Sequence, residues 1–139
     1  ILDAGHNPGA MIELAKTLTY LSSSLNGQIN QVNNEDKRFV FLMALMNDKD
    51  ASAIFSKMSP FIKHLILTKP NTPRATEPEL LEQVATNYIA KNSIEIIPDV
   101  PSALQRLIEL SQPSVILGSF YLAEEVKRAT QGNNIKLLE

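Results

Sequence analysis

Phe39-Val40-Phe41-Leu42-Met43-Ala44 is an unbroken apolar run. A strand with one wet face alternates apolar and polar residues, whereas a strand covered by helices on both faces is continuously hydrophobic. His64-Leu65-Ile66-Leu67-Thr68, Ile94-Glu95-Ile96-Ile97 and Ser114-Val115-Ile116-Leu117 are further short runs of strand character. Ile1-Leu2-Asp3 reads as the end of another. Longer stretches of helical period separate them. This alternation predicts an α/β three-layer sandwich. Its core is a Rossmann-like, mostly parallel sheet of about five or six strands with helices on both faces.

The first helix is expected to start near Pro8, since proline is tolerated at the first helical position. Its apolar face carries Met11, Leu14, Ala15, Leu18 and Leu21, and Asn26-Gly27 ends it. Polar, Asn-rich Gln28–Lys37 reads as a loop. A second helix covers Ala51–Met58 with Pro60 closing it. A third, capped by Thr76 with Pro78 and Glu79 in its first turn, runs to about Asn92. Pro101–Leu110 and Phe120–Ala129 complete the helices, and Ile135–Leu138 is a candidate terminal strand. His64 opens its strand at the amino end, where a structural role is expected. Phe39, Phe41, Met43 and Met46 are assigned to the core.

The 139 residues suit one domain with a core that needs no staples. Thirteen Lys and Arg against fifteen Asp and Glu give a formal charge of −2, with no basic cluster to suggest a nucleic-acid surface. Cysteine is absent, which excludes disulfides, thiolate metal sites and cysteine nucleophiles. His6 and His64 are the two histidines, too few for a His-rich metal site. No run approaches the roughly 18 apolar residues of a membrane span, and the start is unlike a signal peptide. The expectation is a cytoplasmic domain without membrane or nucleic-acid partners. Because Ile1 stands inside a strand pattern with no initiator Met, the chain reads as a piece of a longer polypeptide.

In open parallel sheets, ligands sit beyond the carboxyl ends of the strands. Four such ends carry polar residues here: Asp3–Asn7, Asn47–Asp50, Thr68–Arg74 and Gly118-Ser119. Asp3-Ala4-Gly5-His6-Asn7-Pro8 ends a strand in a carboxylate and turns at a glycine into a helix start. Free amides and the positive helix end would attract a phosphate or carboxylate there. His6 offers a hydrogen bond or a charge, and Asp3 an acceptor for a ribose hydroxyl; equally, Asp3 and Asn7 are ordinary caps. Asp48-Lys49-Asp50 reads as a solvated turn with an N-cap or as part of a site. Arg74, between prolines and a helix, suits an anionic ligand or plain solvent exposure. Ser119 stands where strand becomes helix, as an N-cap, a ligand contact, or both. No P-loop sequence is present, so nothing in the chain cradles a triphosphate in that manner.

Taken together, these residues resemble a known family. Asp3-Ala4-Gly5-His6-Asn7-Pro8-Gly9-Ala10 is similar to the Asp-Gly-Ala-His-Asn-Pro motif that opens the C-terminal domain of folylpolyglutamate and dihydrofolate synthases, relatives of the Mur ligases. Asp48-Lys49-Asp50, Pro73-Arg74-Ala75 and Gly118-Ser119-Phe120-Tyr121-Leu122 follow in the family's order and spacing. One departure is the exchange of the second and third motif residues, Ala4-Gly5 for Gly-Ala. The resemblance implies the C-terminal glutamate-binding domain of an ATP-dependent ligase. Its substrates would be folate, glutamate and ATP. ATP and Mg²⁺ would be bound mainly by an N-terminal P-loop ATPase domain absent from this chain. It further implies that His6 and Ser119 hold glutamate, that Asp3 contacts the ATP ribose, and that Asn7, Asp48 and Arg74 support the site. No catalytic residue and no metal ligand is assigned. Two alternatives stand beside it: the corresponding domain of a Mur-type ligase acting on a peptidoglycan precursor, and a receiver-like binding module suggested by Lys69-Pro70. Receivers carry that pair after the fifth strand rather than the third, and paired acids after the first, where this chain has Asp3.

Overall fold

In the computed structural model, residues 2–3, 8–28 and 37–131 are described. Five strands and five α-helices alternate through them: β1 (Leu2–Asp3), α1 (Pro8–Gln28), β2 (Phe39–Ala44), α2 (Ala51–Met58), β3 (Ile62–Leu67), α3 (Pro78–Ala85), β4 (Ile94–Ile96), α4 (Val100–Glu109), β5 (Ser114–Gly118) and α5 (Phe120–Gln131). The strands form one sheet in the order β1-β5-β2-β3-β4, and every pairing is parallel. The expected sandwich is therefore present, with five strands among the described residues.

The continuous hydrophobicity of β2 has the anticipated cause. All six of its residues are buried. Phe39, Phe41 and Met43 pack into one core layer with α1, α2 and α3, while Val40, Leu42 and Ala44 pack into the other with α4 and α5. The neighbouring strands divide in the same way: Leu65, Leu67, Val115 and Leu117 face the first layer, Ile66 and Ile116 the second. On α1, Met11, Leu14 and Leu18 are fully buried, as their spacing predicted, and Ala15 and Leu21 pack at the margin. Met46 is buried with the core methionines.

Several boundaries differ from the sequence expectations. The helix after Thr68–Arg74 stops at Ala85, not near Asn92, and continues as a turn and a short 3-10 helix at Lys91–Ser93. Thr76 does not cap it. Glu77 stands at the N-cap position without a side-chain capping bond, while Thr76 Oγ1 donates to Asn47 Oδ1 at 3.1 Å. The third strand begins at Ile62, so His64 lies within it rather than opening it. The role of His64 is structural: Nε2 shares a 2.5 Å hydrogen bond with Glu95 Oε2, and Arg106 Nε donates to both Glu95 oxygens at 3.2 Å. This trio ties β3 and β4 to the last turn of α4. Burial acts upward on the Glu95 carboxyl, but bonds from His64 and Arg106, with their charges, outweigh it and hold it below the usual carboxylate range. α1 includes Gln28, the first residue of the expected loop; residues 29–36 and the candidate strand Ile135–Leu138 lie outside the described residues.

Candidate functional site

The topology itself selects the site. After β2 the chain turns into α2, in the first core layer, whereas after β5 it turns into α5, in the second. β2 and β5 are neighbours, so their outgoing turns part to opposite faces and leave a crevice at the carboxyl edge. A cleft of about 160 Å³ opens there, lined by Leu45, Met46, Lys49, Arg74, Gly118, Ser119, Phe120 and Tyr121. That volume falls below the roughly 300–1,000 Å³ of pockets for drug-sized ligands. It suits an amino acid better than a pteridine or a nucleotide.

Each wall has a local cause. Gly118 ends β5 with φ +146° opposite Ala44, so close that a Cβ would stand 1.9 Å from the Ala44 carbonyl oxygen. Only glycine lets the chain leave the sheet in this way. Ser119, buried, then caps α5: its Oγ accepts from the Leu122 amide at 3.1 Å and its carbonyl from the Ala123 amide at 3.1 Å. The positive end of α5 thereby opens at the cleft. On the other side, Asp50 caps α2 by accepting from the Ala53 amide at 3.0 Å.

The β2 and β3 exits are stitched together. Met46 and Ala75 form an antiparallel bridge, the Asn47 amide donates to the Arg74 carbonyl, and the Thr76 amide donates to the Leu45 carbonyl, both at 2.8 Å. Buried Thr72 adds a bond through Oγ1, which accepts from the Arg74 amide at 3.3 Å. These contacts fix the Arg74 backbone beside the apolar floor of Leu45 and Met46.

Two cations line the cleft. Lys49 Nζ pairs with Asp48 Oδ2 at 3.4 Å. Arg74 makes no ion pair among the described residues; its guanidinium lies 6.0 Å from the centre of the Tyr121 ring. Tyr121 in turn meets Phe120 edge to face, with centroids 6.4 Å apart. Desolvation acts upward on Asp48, but the bond and charge of Lys49 and the field of Arg74 outweigh it, and its carboxyl sits below the usual value. The site therefore pairs a net positive wall and a serine hydroxyl with an apolar floor, the chemistry of a carboxylate-bearing ligand with a short aliphatic chain.

A wider cleft of about 690 Å³ lies beyond β3 and β4, lined by five prolines together with Glu77, Glu79, Asp99 and Glu125. Its single cation, Lys69, is hydrogen-bonded to Glu77. Its charge is wrong for an anion.

Of the residues singled out in the sequence, Ser119 and Arg74 come together in the small cleft. Asp48 stands outside its lining, paired with the lysine that does face it. Asp3 ends β1 in register with Leu117, next to Gly118. His6 and Asn7 lie outside the described residues. Leu45, Met46, Phe120 and Tyr121 were missed as wall residues, and Lys49 entered only within the Asp48-Lys49-Asp50 triplet, with no role of its own. The signal for the aromatics was available: they stand in succession directly after a strand-to-helix turn at a strand's carboxyl end, and Phe120 is 64% exposed.

Among the described residues no group of three or more His, Cys, Asp or Glu is arranged to hold a metal ion, and no helix is long and apolar enough to cross a membrane.

Comparison with known proteins gives a consistent picture. The family described as Mur ligase, glutamate ligase domain, matches residues 1–119. A dihydrofolate synthase/folylpolyglutamate synthase of Haemophilus influenzae is 26% identical over 129 residues, covering 90% of this chain and 27% of that protein. Among solved structures, the Mycobacterium tuberculosis folylpolyglutamate synthase complexed with ADP and AMPPCP superposes with a TM-score of 0.71 at 18% identity, over 96% of this chain and 30% of that one. Escherichia coli FolC in complex with DHPP and ADP gives 0.72 at 16% identity, over 96% and 28%. The bifunctional Yersinia pestis enzyme complexed with AMPPNP and Mn gives 0.69 at 18%, over 94% and 28%. At these identities the structures establish a common fold. The chain spans little more than a quarter of the length of its curated relative.

Proposed function

The chain belongs to the Mur ligase, glutamate ligase domain family, and on that premise we propose that it is the C-terminal, amino-acid-binding domain of an ATP-dependent folylpolyglutamate synthase, in a polypeptide that can also carry dihydrofolate synthase activity. The observation that carries the reading is the β2–β5 cleft, where Lys49, Arg74 and Ser119 gather around a space of amino-acid size.

In the reaction, ATP phosphorylates a folate carboxylate, and the amine of glutamate attacks the acyl phosphate and expels phosphate. ATP and Mg²⁺ belong mainly to an N-terminal P-loop domain of the same polypeptide, because this sequence has no such loop. The role of the present domain is to hold glutamate. Lys49 and Arg74 meet its carboxylates, Ser119 Oγ contributes a hydrogen bond while capping α5, and Leu45 and Met46 take the methylenes. His6 joins the glutamate contacts, Asp3 the ribose of ATP, and Asn7 and Asp48 shape the surrounding turns. Domain closure then presents the amine to the acyl phosphate, a positioning effect that contributes up to about 7–11 kcal/mol. Alone, the domain is expected to have no ligase activity.

The test is ADP release by the full-length polypeptide given ATP, Mg²⁺, a reduced folate and one amino acid at a time. Turnover with glutamate and folate supports the reading. Turnover that ignores folate, or prefers another amino acid on a peptidoglycan precursor, moves the enzyme to the Mur-type alternative. His6→Ala should raise the KM for glutamate more than that for ATP, and Asp3→Ala the reverse; equal effects would remove these assignments. The receiver-like reading gains nothing from the family match. It would return only if the chain took phosphate from a small phosphodonor.

A further inference from the structure

We propose that Tyr121 is a positioning residue of the amino-acid site, holding the Arg74 guanidinium over the cleft through the face of its ring; the inference rests on the reading of the cleft given above. The backbone of Arg74 is fixed by the Asn47 and Thr72 bonds, but its side chain is not. Among the described residues it makes no ion pair, Asp48 feeling only its field, and a long, multi-torsion chain without one spreads over many rotamers. The ordering contact is the Tyr121 ring, 6.0 Å from the guanidinium carbon to its centroid, at the outer limit of a cation–π contact.

Tyr121 is itself held in place. It is the second residue of α5, whose start is set by the Gly118 turn and the Ser119 cap. The edge of Phe120 packs against it at 78° between ring planes. The ring therefore bridges the β5–α5 turn to the Pro73–Arg74 loop, the two sides of the cleft. An aromatic face tethers a cation without neutralising it, as a carboxylate would. The charge of Arg74 stays available to an incoming carboxylate.

The experiment measures glutamate and ATP kinetics in the full-length polypeptide for Tyr121→Leu, Tyr121→Phe, Arg74→Ala and the Arg74→Ala/Tyr121→Leu double variant, with a melting curve for each. Arg74→Ala is expected to raise the glutamate KM about tenfold or more. Tyr121→Leu, which keeps apolar bulk but removes the ring, should raise it about two- to fivefold with the ATP KM unchanged. Tyr121→Phe keeps the ring face and should restore near-native values. In the Arg74→Ala background, Tyr121→Leu should add nothing. An undiminished Tyr121→Leu effect in that background would overturn the proposal, as would a parallel rise in the ATP KM or a Tyr121→Phe variant no better than Tyr121→Leu. If Arg74→Ala leaves the glutamate KM unchanged, the amino-acid reading of the cleft fails first and the role of Tyr121 with it.

Discussion

Replacing Gly118 with alanine tests the geometry from which the cleft is built. The new Cβ would stand 1.9 Å from the Ala44 carbonyl oxygen and 3.0 Å from its carbon. Contacts under 3.0 Å are essentially never seen, so the oxygen must retreat by about 1 Å. It cannot do so cheaply, because Ala44 is the last residue of β2 paired with β5 and its side chain is buried in the second core layer. Overpacking of this kind costs about 1–3 kcal/mol, and holding alanine at φ +146° adds about 1–3 kcal/mol. The lower entropy of the unfolded alanine chain returns about 0.4–1 kcal/mol. A net loss of about 3 kcal/mol follows, equivalent to a fall of about 10 °C in Tm for a domain of this size. Thermal unfolding of the 139-residue chain by circular dichroism reads it directly. Gly9→Ala is the control: Gly9 is exposed in the first turn of α1, where alanine should raise stability by up to about 1 kcal/mol. Loss of the cooperative transition in Gly118→Ala counts as destabilisation. Two variants that melt within a degree of each other would refute the argument from close approach.

Ser119 can be separated into its two roles: Ser119→Ala should lose the cap, about 1 kcal/mol or roughly 3 °C, and raise the glutamate KM. Ser119→Asp should keep the cap and the melting temperature, yet raise the glutamate KM more steeply by setting a carboxylate against a carboxylate; two variants with the same KM would remove Ser119 from the ligand site. Glu95→Gln probes the acid limb. Because the folded Glu95 carboxyl titrates below its ordinary value of 4.5, its stabilisation is present above that pH and is lost as pH falls through the folded value. The variant should therefore be about 1 kcal/mol less stable near neutrality, a figure discounted for partial exposure. In urea titrations from pH 7 to 3 the gap should narrow, and a gap that widens toward acid would contradict the assignment. Phe41→Ala, at the centre of the first core layer, should cost about 3–5 kcal/mol in the same titration.

The sheet was legible because its strands are buried on both faces. Phe39–Ala44 carries no polar interruption, and no helix of that length could hide six consecutive apolar residues. The helix after Thr76 was misjudged for a local reason: Leu80, Leu81, Val84, Ala85 and Ile89 continue a helical spacing, but past Ala85 the amides of Asn87 and Tyr88 bond three residues back, to Val84 and Ala85, and a 3-10 turn carries the chain into β4. The Thr76 hydroxyl, a plausible cap by type, is engaged instead by Asn47, a partner 29 residues away that no local pattern announces. The site was legible in outline, since the carboxyl ends of parallel strands collect ligands wherever polar residues interrupt the apolar runs. Its walls were not. Arg74 and Tyr121 meet only because the sheet order sets the β5 turn against the loop after β3, and that order is a long-range property absent from spacing.

That strand order also bears on biogenesis. β5 lies between β1 and β2, so these two strands cannot be joined in the sheet until β5 has been synthesised. From Ala44 to Gly118 is about seventy residues, several seconds at translation rates of about 5–20 residues per second. During that interval β2, apolar on both faces, presents a bare edge to solvent. A ribosome stalled or a message truncated before Ser114 would release a nascent chain in this state. The sheet is continuous only once β5 has entered the gap between β1 and β2.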